Sequence, residues 1–66
     1  MNIILNGEPR TLTPDTLLNQ LLQELGLGQK RLAVEINLQI IPRSLYPETR
    51  LNNGDRVEIV QAIGGG

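Results

Sequence analysis

Five leucines at helical spacing, Leu17, Leu18, Leu21, Leu22 and Leu25, set the main constraint on what this chain can fold into. They line one side of a helix, with Asn19, Gln20, Gln23 and Glu24 on the other. Such a stripe has to be covered, and the other apolar stretches alternate with a period of two or come as short runs between turn signals. The cover must therefore be a sheet. At 66 residues the chain makes one small domain, of a size that buries only about 60% of its unfolded surface. Leu, Ile and Val still supply roughly a third of the residues, above the ~20% associated with disorder. The stripe is read as core and not as a surface for a partner helix.

Thr13-Pro14-Asp15-Thr16 is the expected helix start. Thr13 would cap free N–H groups, Pro14 would take the first helical position, and Asp15 would favour the helix dipole. Leu12 and Leu17 would then form a hydrophobic staple. Gly26 is expected as a left-handed cap, with Leu27 packing back on the last turn.

The strands follow from turn chemistry and alternation. Asn2 to Asn6 reads as the first strand, and Asn6-Gly7 is the preferred pair for a two-residue type I′ hairpin. Glu8 to Leu12 returns antiparallel, at a sheet edge because Pro9 lacks an N–H. Met1, Ile3 and Leu5 are assigned to the core, while Ile4 points the other way. Gly28 to Lys30 is a loop. Arg31 to Asn37 is a half-buried strand with Leu32, Val34 and Ile36 inward. Ile40-Ile41 is a short run stopped by Pro42, and Tyr46 to Thr49 is irregular, with one turn of helix at most. Asn53-Gly54-Asp55 turns the chain into the last strand, Arg56 to Ile63. Val57 and Ile59 face inward there, and Glu58, Val60 and Ala62 face the opposite way. An apolar first strand belongs in mid-sheet, so the first and last strands are expected as parallel neighbours. This gives an α+β, β-grasp (ubiquitin-like) domain over residues 1–63. Its mixed sheet of four to five strands packs on one main helix.

The chemistry open to such a domain is narrow. There is no cysteine to attack a carbonyl or bind metal, and no histidine to act as a base near neutral pH. The seven carboxylates are dispersed, so neither an acid/base pair nor a metal site is expected. A net charge of −1 and a single aromatic residue, Tyr46, speak against nucleic acid. Met1 to Leu5 is too short for a signal peptide or a membrane span, and a cytoplasmic protein is expected. What remains is Gly64-Gly65-Gly66, read as a flexible tail that reaches about 10 Å. It is slim enough to enter a narrow slot and present an ionised carboxylate there.

Three segments together resemble the ThiS sulfur carriers of thiamin biosynthesis. They are Ile41-Pro42-Arg43-Ser44-Leu45-Tyr46, then Asn53-Gly54-Asp55-Arg56-Val57-Glu58-Ile59-Val60, then Gly65-Gly66. The resemblance covers the whole chain, the Asn6-Gly7 hairpin included. It implies that Gly66 carries the reactive carboxyl, while Gly64 and Gly65 thread through a partner's channel. The implied partners are an adenylyltransferase of the E1-like ThiF type, which would use ATP and Mg²⁺, and a sulfur donor such as a cysteine desulfurase or persulfide transferase. A ThiG-type thiazole synthase would receive the sulfur. The carrier itself would bind no cofactor and perform no catalysis. Two departures stand out. Asn37-Leu38 replaces the family's frequent Asn-Gly, and because leucine resists positive φ a longer turn is expected there. Gly64 extends the usual pair of glycines.

On the open side of the sheet, Ile4 is expected near Val60 and Ala62, facing solvent, with Arg56 and Glu58 as a polar rim. This group is read as the partner-binding patch. Three other functions stay open on the residues alone: a molybdopterin-type sulfur carrier, a ubiquitin-like modifier, and a β-grasp docking module with an inert tail.

Overall fold

The computed structural model describes residues 1–61. Its first turn is dictated by Asn6 and Gly7, whose φ values of 49° and 83° are those of a type I′ hairpin. The hairpin joins β1 (Asn2–Leu5) to β2 (Glu8–Thr11). The chain continues through α1 (Leu18–Glu24), β3 (Leu32–Ile36), β4 (Gln39–Ile40), a 3-10 helix at Arg43–Glu48 and β5 (Arg56–Gln61). The five strands form one sheet in the order β2-β1-β5-β3-β4. Pro9 thus lies on an edge strand, where its missing N–H costs no ladder bond. β1 and β5 run parallel in mid-sheet, with Ile4 beside Arg56 and Leu5 beside Val57. The other pairs are antiparallel. A mixed five-stranded sheet over one helix is the β-grasp fold.

The leucine stripe is the middle of the core. Leu18, Leu21 and Leu22 of α1 are buried against Ile3, Val34, Val57 and Ile59 of the sheet. Leu32, Leu5 and Met1 pack at the margin of this cluster. Tyr46 and Leu51 are buried as well and seal the side of the core that the sheet leaves open to the long connection. Each such side chain contributes about 1.5–3 kcal/mol by leaving water. A helix of seven residues would not hold in isolation, so packing sustains it. Its C-terminus is closed as expected. Gly26 has φ 74°, and the amides of Gly26 and Leu27 donate to Gln23 and Leu22 at 3.0 and 2.8 Å, a Schellman motif.

The helix starts later than Thr13-Pro14-Asp15-Thr16 implies. Asp15 takes φ 65°, which reverses the chain before any helical turn forms. Leu17 is extended, and residues 16 to 18 are bound to the segment before β5. The Leu51 amide donates to the Thr16 carbonyl at 3.0 Å, the Leu18 amide donates to that of Thr49 at 2.8 Å, and Leu17 bridges to Arg50. The N-cap is therefore Leu17, not Thr13, and the Gln20 side-chain oxygen accepts from its amide at 2.8 Å. Thr13 and Thr16 bond each other instead, and the buried Thr16 hydroxyl donates to the Thr13 carbonyl. These tertiary bonds outweigh the local preference for starting a helix at Pro14, and the expected staple geometry of Leu12 and Leu17 does not arise.

A second difference lies at Asn37-Leu38. The register sets Ile36 opposite Gln39, leaving two residues for the loop, and both have positive φ, 52° and 71°. The turn is the tight primed one, not a longer one. Asn37 is tied to β5: its amide donates to the Arg56 carbonyl at 2.8 Å, and its side-chain oxygen accepts from the Arg56 amide at 3.0 Å. With Asn37 fixed, Leu38 accepts a left-handed conformation that costs about 1–2 kcal/mol. The third difference is the 3-10 helix, which spans Arg43–Glu48 and is longer than one irregular turn.

Two predictions follow from the packing and the strain. Leu21→Ala should destabilise the fold by about 2–5 kcal/mol, because Leu21 is fully buried. A denaturant titration showing a loss below about 0.5 kcal/mol would contradict this placement. Leu38→Gly should raise stability by about 0.5–1 kcal/mol, since relief of left-handed strain exceeds the chain entropy glycine adds. A fall in the unfolding midpoint would mean that Leu38 makes a stabilising contact in the native state.

Candidate interaction face and tail exit

β5 is the last described element before the glycines in the sequence, and its alternation sorts its residues cleanly. Val57 and Ile59 are buried under α1, while Arg56, Glu58 and Val60 stand exposed on the open face of the sheet. Ala62, Gly64, Gly65 and Gly66 lie outside the described residues, as does Ile63 of the expected strand.

The register decides what surrounds the outward groups. Ile4 is the lateral neighbour of Arg56, and β1 ends at Leu5, so nothing of β1 runs beside Val60. Val60 lies four residues further along, about 13 Å at ~3.3 Å per residue. Ile4 is also only half-exposed. The expected grouping of Ile4 with Val60 is therefore not what the sheet builds. The neighbour of Val60 is Ala33, and Ile40 stands one strand further out, opposite Glu35. Ile40 and Val60 are 74% and 64% exposed, large values for apolar side chains on one sheet face. Ala33 and Ile40 were not among the expected patch residues. Alternation already turned Ala33 outward, but the pair Ile40-Ile41 hides which of the two points out until the β3–β4 register is known.

Glu35 and Glu58 face each other across β3 and β5 on this same side. Directly opposed like charges weaken a sheet slightly. Arg56 marks the far end of the face. Among the described residues no group of three or more His, Cys, Asp or Glu is placed to hold a metal ion. No helix of the described residues is long and apolar enough to cross a membrane.

β5 is also held by side chains that sequence reasoning treated only as turn formers. Asp55, buried at its start, accepts from the Asn37 carboxamide at 3.0 Å and from the Asn52 amide at 2.8 Å. Further along, the Ile59 amide donates to the Asn6 side-chain oxygen at 2.8 Å, and the Asn6 side-chain nitrogen donates to the Ile59 carbonyl at 3.3 Å. The Asn-Gly signal that located the hairpin gives no hint of this second role, which depends on β5 lying alongside.

The ThiS family model matches residues 3–66. The chain belongs to the ThiS family. Its ThiS relatives include the sulfur carrier protein ThiS of Thermus thermophilus, 40% identical over 62 residues, which cover 94% of this chain and 95% of the relative. The crystal structure of the thiamine biosynthesis protein ThiS from Geobacter metallireducens superposes with a TM-score of 0.85. It is 32% identical, and the match covers 100% of both chains. The thiazole synthase of Paramagnetospirillum magneticum is 44% identical over all 66 residues, and here the chain spans only 20% of the relative's length.

The open face makes a specific prediction for this ThiS chain. Val60→Asp should leave the fold intact, since the side chain lies outside the core, at a strand-propensity cost of at most about 1 kcal/mol. It should weaken binding to the expected adenylating partner by more than about tenfold, or 1.4 kcal/mol. Calorimetric titration of the folded variant decides the matter, and unchanged affinity removes this face from the interface.

Proposed function

We propose that this protein is a sulfur carrier whose C-terminal glycine carboxylate, on Gly66, is adenylated and then converted to a thiocarboxylate that donates sulfur for thiazole formation in thiamin biosynthesis. Membership of the ThiS family is the observation that carries this reading. It also favours ThiS-type chemistry over a molybdopterin-type carrier or a ubiquitin-like modifier. The arrangement of β5 agrees with it. The strand has neighbours on both sides in mid-sheet and is the last described element before Gly64, Gly65 and Gly66 in the sequence.

The chemistry needs no catalytic side chain from the carrier. A carboxylate repels nucleophiles and has no good leaving group. Attack of its oxygen on the α-phosphorus of ATP expels pyrophosphate and gives an acyl adenylate. A persulfide sulfur then attacks the carbonyl carbon, the C–O bond to AMP breaks, and an acyl disulfide forms. A thiol cleaves the S–S bond and leaves the thiocarboxylate, with the thiol's sulfur ending in a new disulfide. Cysteine and histidine, absent from this chain, would have to come from the partners. ATP and Mg²⁺ are assigned to the ThiF-type adenylyltransferase. A cysteine desulfurase or persulfide transferase supplies the sulfur, and a ThiG-type thiazole synthase receives it. The last assignment is supported by relatives named thiazole synthase, in which a segment like this chain makes up a fifth of the length.

Deleting Gly66 should abolish ATP–pyrophosphate exchange with the adenylyltransferase and leave the melting temperature unchanged. Exchange at the normal rate without Gly66 would overturn the assignment of the reacting carboxylate to Gly66, and an intact protein that supports no exchange would favour a docking module with an inert tail.

A further inference from the structure

The bonds between Asn6 and Ile59 have a particular geometry. In the parallel ladder between β1 and β5, the Ile4 amide donates to the Asp55 carbonyl and the Asn6 amide to that of Val57, both at 2.9 Å. A β1 that continued would next pair its backbone with the amide and the carbonyl of Ile59. It does not continue, because Asn6 takes φ 49° and turns the chain into the hairpin. The Asn6 carboxamide supplies the two missing bonds instead, accepting from the Ile59 amide and donating to its carbonyl. On the β3 side, β5 is paired as far as Gln61. Asn6 therefore extends two-sided anchoring of β5 to within two residues of its last paired position. Without it, everything past Val57 would hang on β3 alone, and strands held on one edge open more readily.

We infer that Asn6 is a positioning residue: its carboxamide clamps Ile59 and so fixes the stretch of β5 from which the chain runs on to Gly66. The inference rests on the carrier reading. Three glycines reach only about 10 Å, and one residue of peeled strand shifts their base by about 3.3 Å, a third of that reach. Misplacement of a reacting group by about 1 Å can cost up to ~100-fold in rate. The clamp should thus matter for the reacting step more than for docking.

Asn6→Gly tests the effect, because glycine keeps the positive φ of the turn while the side chain and its carboxamide are lost; glycine's added chain entropy lowers global stability, and a loss of protection confined to Ile59 is distinct from that. Native-state hydrogen exchange of the free protein and ATP–pyrophosphate exchange with the adenylyltransferase are measured side by side, well below the melting temperature of either form. The Ile59 amide should exchange at least about tenfold faster, while Val57 and Glu58 keep their protection. The kcat should fall about tenfold, with KM for the carrier changed by less than about threefold. Three results overturn the inference while leaving the carrier reading intact: unchanged Ile59 protection, loss of protection across the whole sheet, or a normal kcat despite a loosened Ile59. A wild-type protein that supports no pyrophosphate exchange overturns the carrier reading itself, and this inference with it.

Discussion

The parallel pairing of β1 with β5 is the contact on which the rest of the fold depends. It joins the two ends of the chain, Ile4 to Arg56 and Leu5 to Val57, and places the strand leading to the tail in the centre of the sheet. Little else is stable locally. α1 has seven residues and β4 has two, too short to persist without a surface to pack on. The surface exists only once β1 and β5 meet, because Ile3, Val57 and Ile59 then form one floor for Leu18, Leu21 and Leu22. The entropy of closing so long a loop is offset by that burial.

Polar side chains complete what the backbone ladders leave unfinished. The turn entering β5 carries a buried carboxylate, Asp55, that bonds Asn37 and Asn52. The Asn53 side chain accepts from the Asn2 amide at 2.8 Å, and the Gly54 amide donates to the Asn2 carbonyl at 2.7 Å. Of these groups Asp55 is buried, and an unpaired buried polar group costs about 1–3 kcal/mol, so its bonds hold the start of β5 in place. They also account for the strained Leu38. Asn37 cannot relax away from Arg56 without exposing its partners, and the next residue takes the unfavourable angle.

The topology was legible from the sequence because its signals are local and agree with one another. Asn6-Gly7, Asn53-Gly54-Asp55 and Gly26 mark turns that only their residue types favour, and alternation in β3 and β5 sorted inward from outward residues. The start of α1 was not legible. Thr13-Pro14-Asp15 is a good local signal, but the bonds of residues 16 to 18 with Thr49 and Leu51 come from a distant segment. Burial of Tyr46 was hidden for the same reason, since nothing in Tyr46-Pro47 announces the core beneath it. At the candidate site, the outward direction of Arg56, Glu58 and Val60 followed from the period of two. Their neighbours did not, because these depend on strand register, which sets Ala33 and not Ile4 beside Val60.

A small scaffold thus holds β5 in mid-sheet, paired to β1 at its start and to β3 along its length, and the proposed carrier role rests on the residues that follow it. The intact mass of the protein isolated from its own cells during active thiamin synthesis tests this most directly. The account predicts a population heavier by the exchange of one oxygen for one sulfur, with the change located at Gly66 by fragmentation. A terminus that stays an unmodified carboxylate throughout would contradict it.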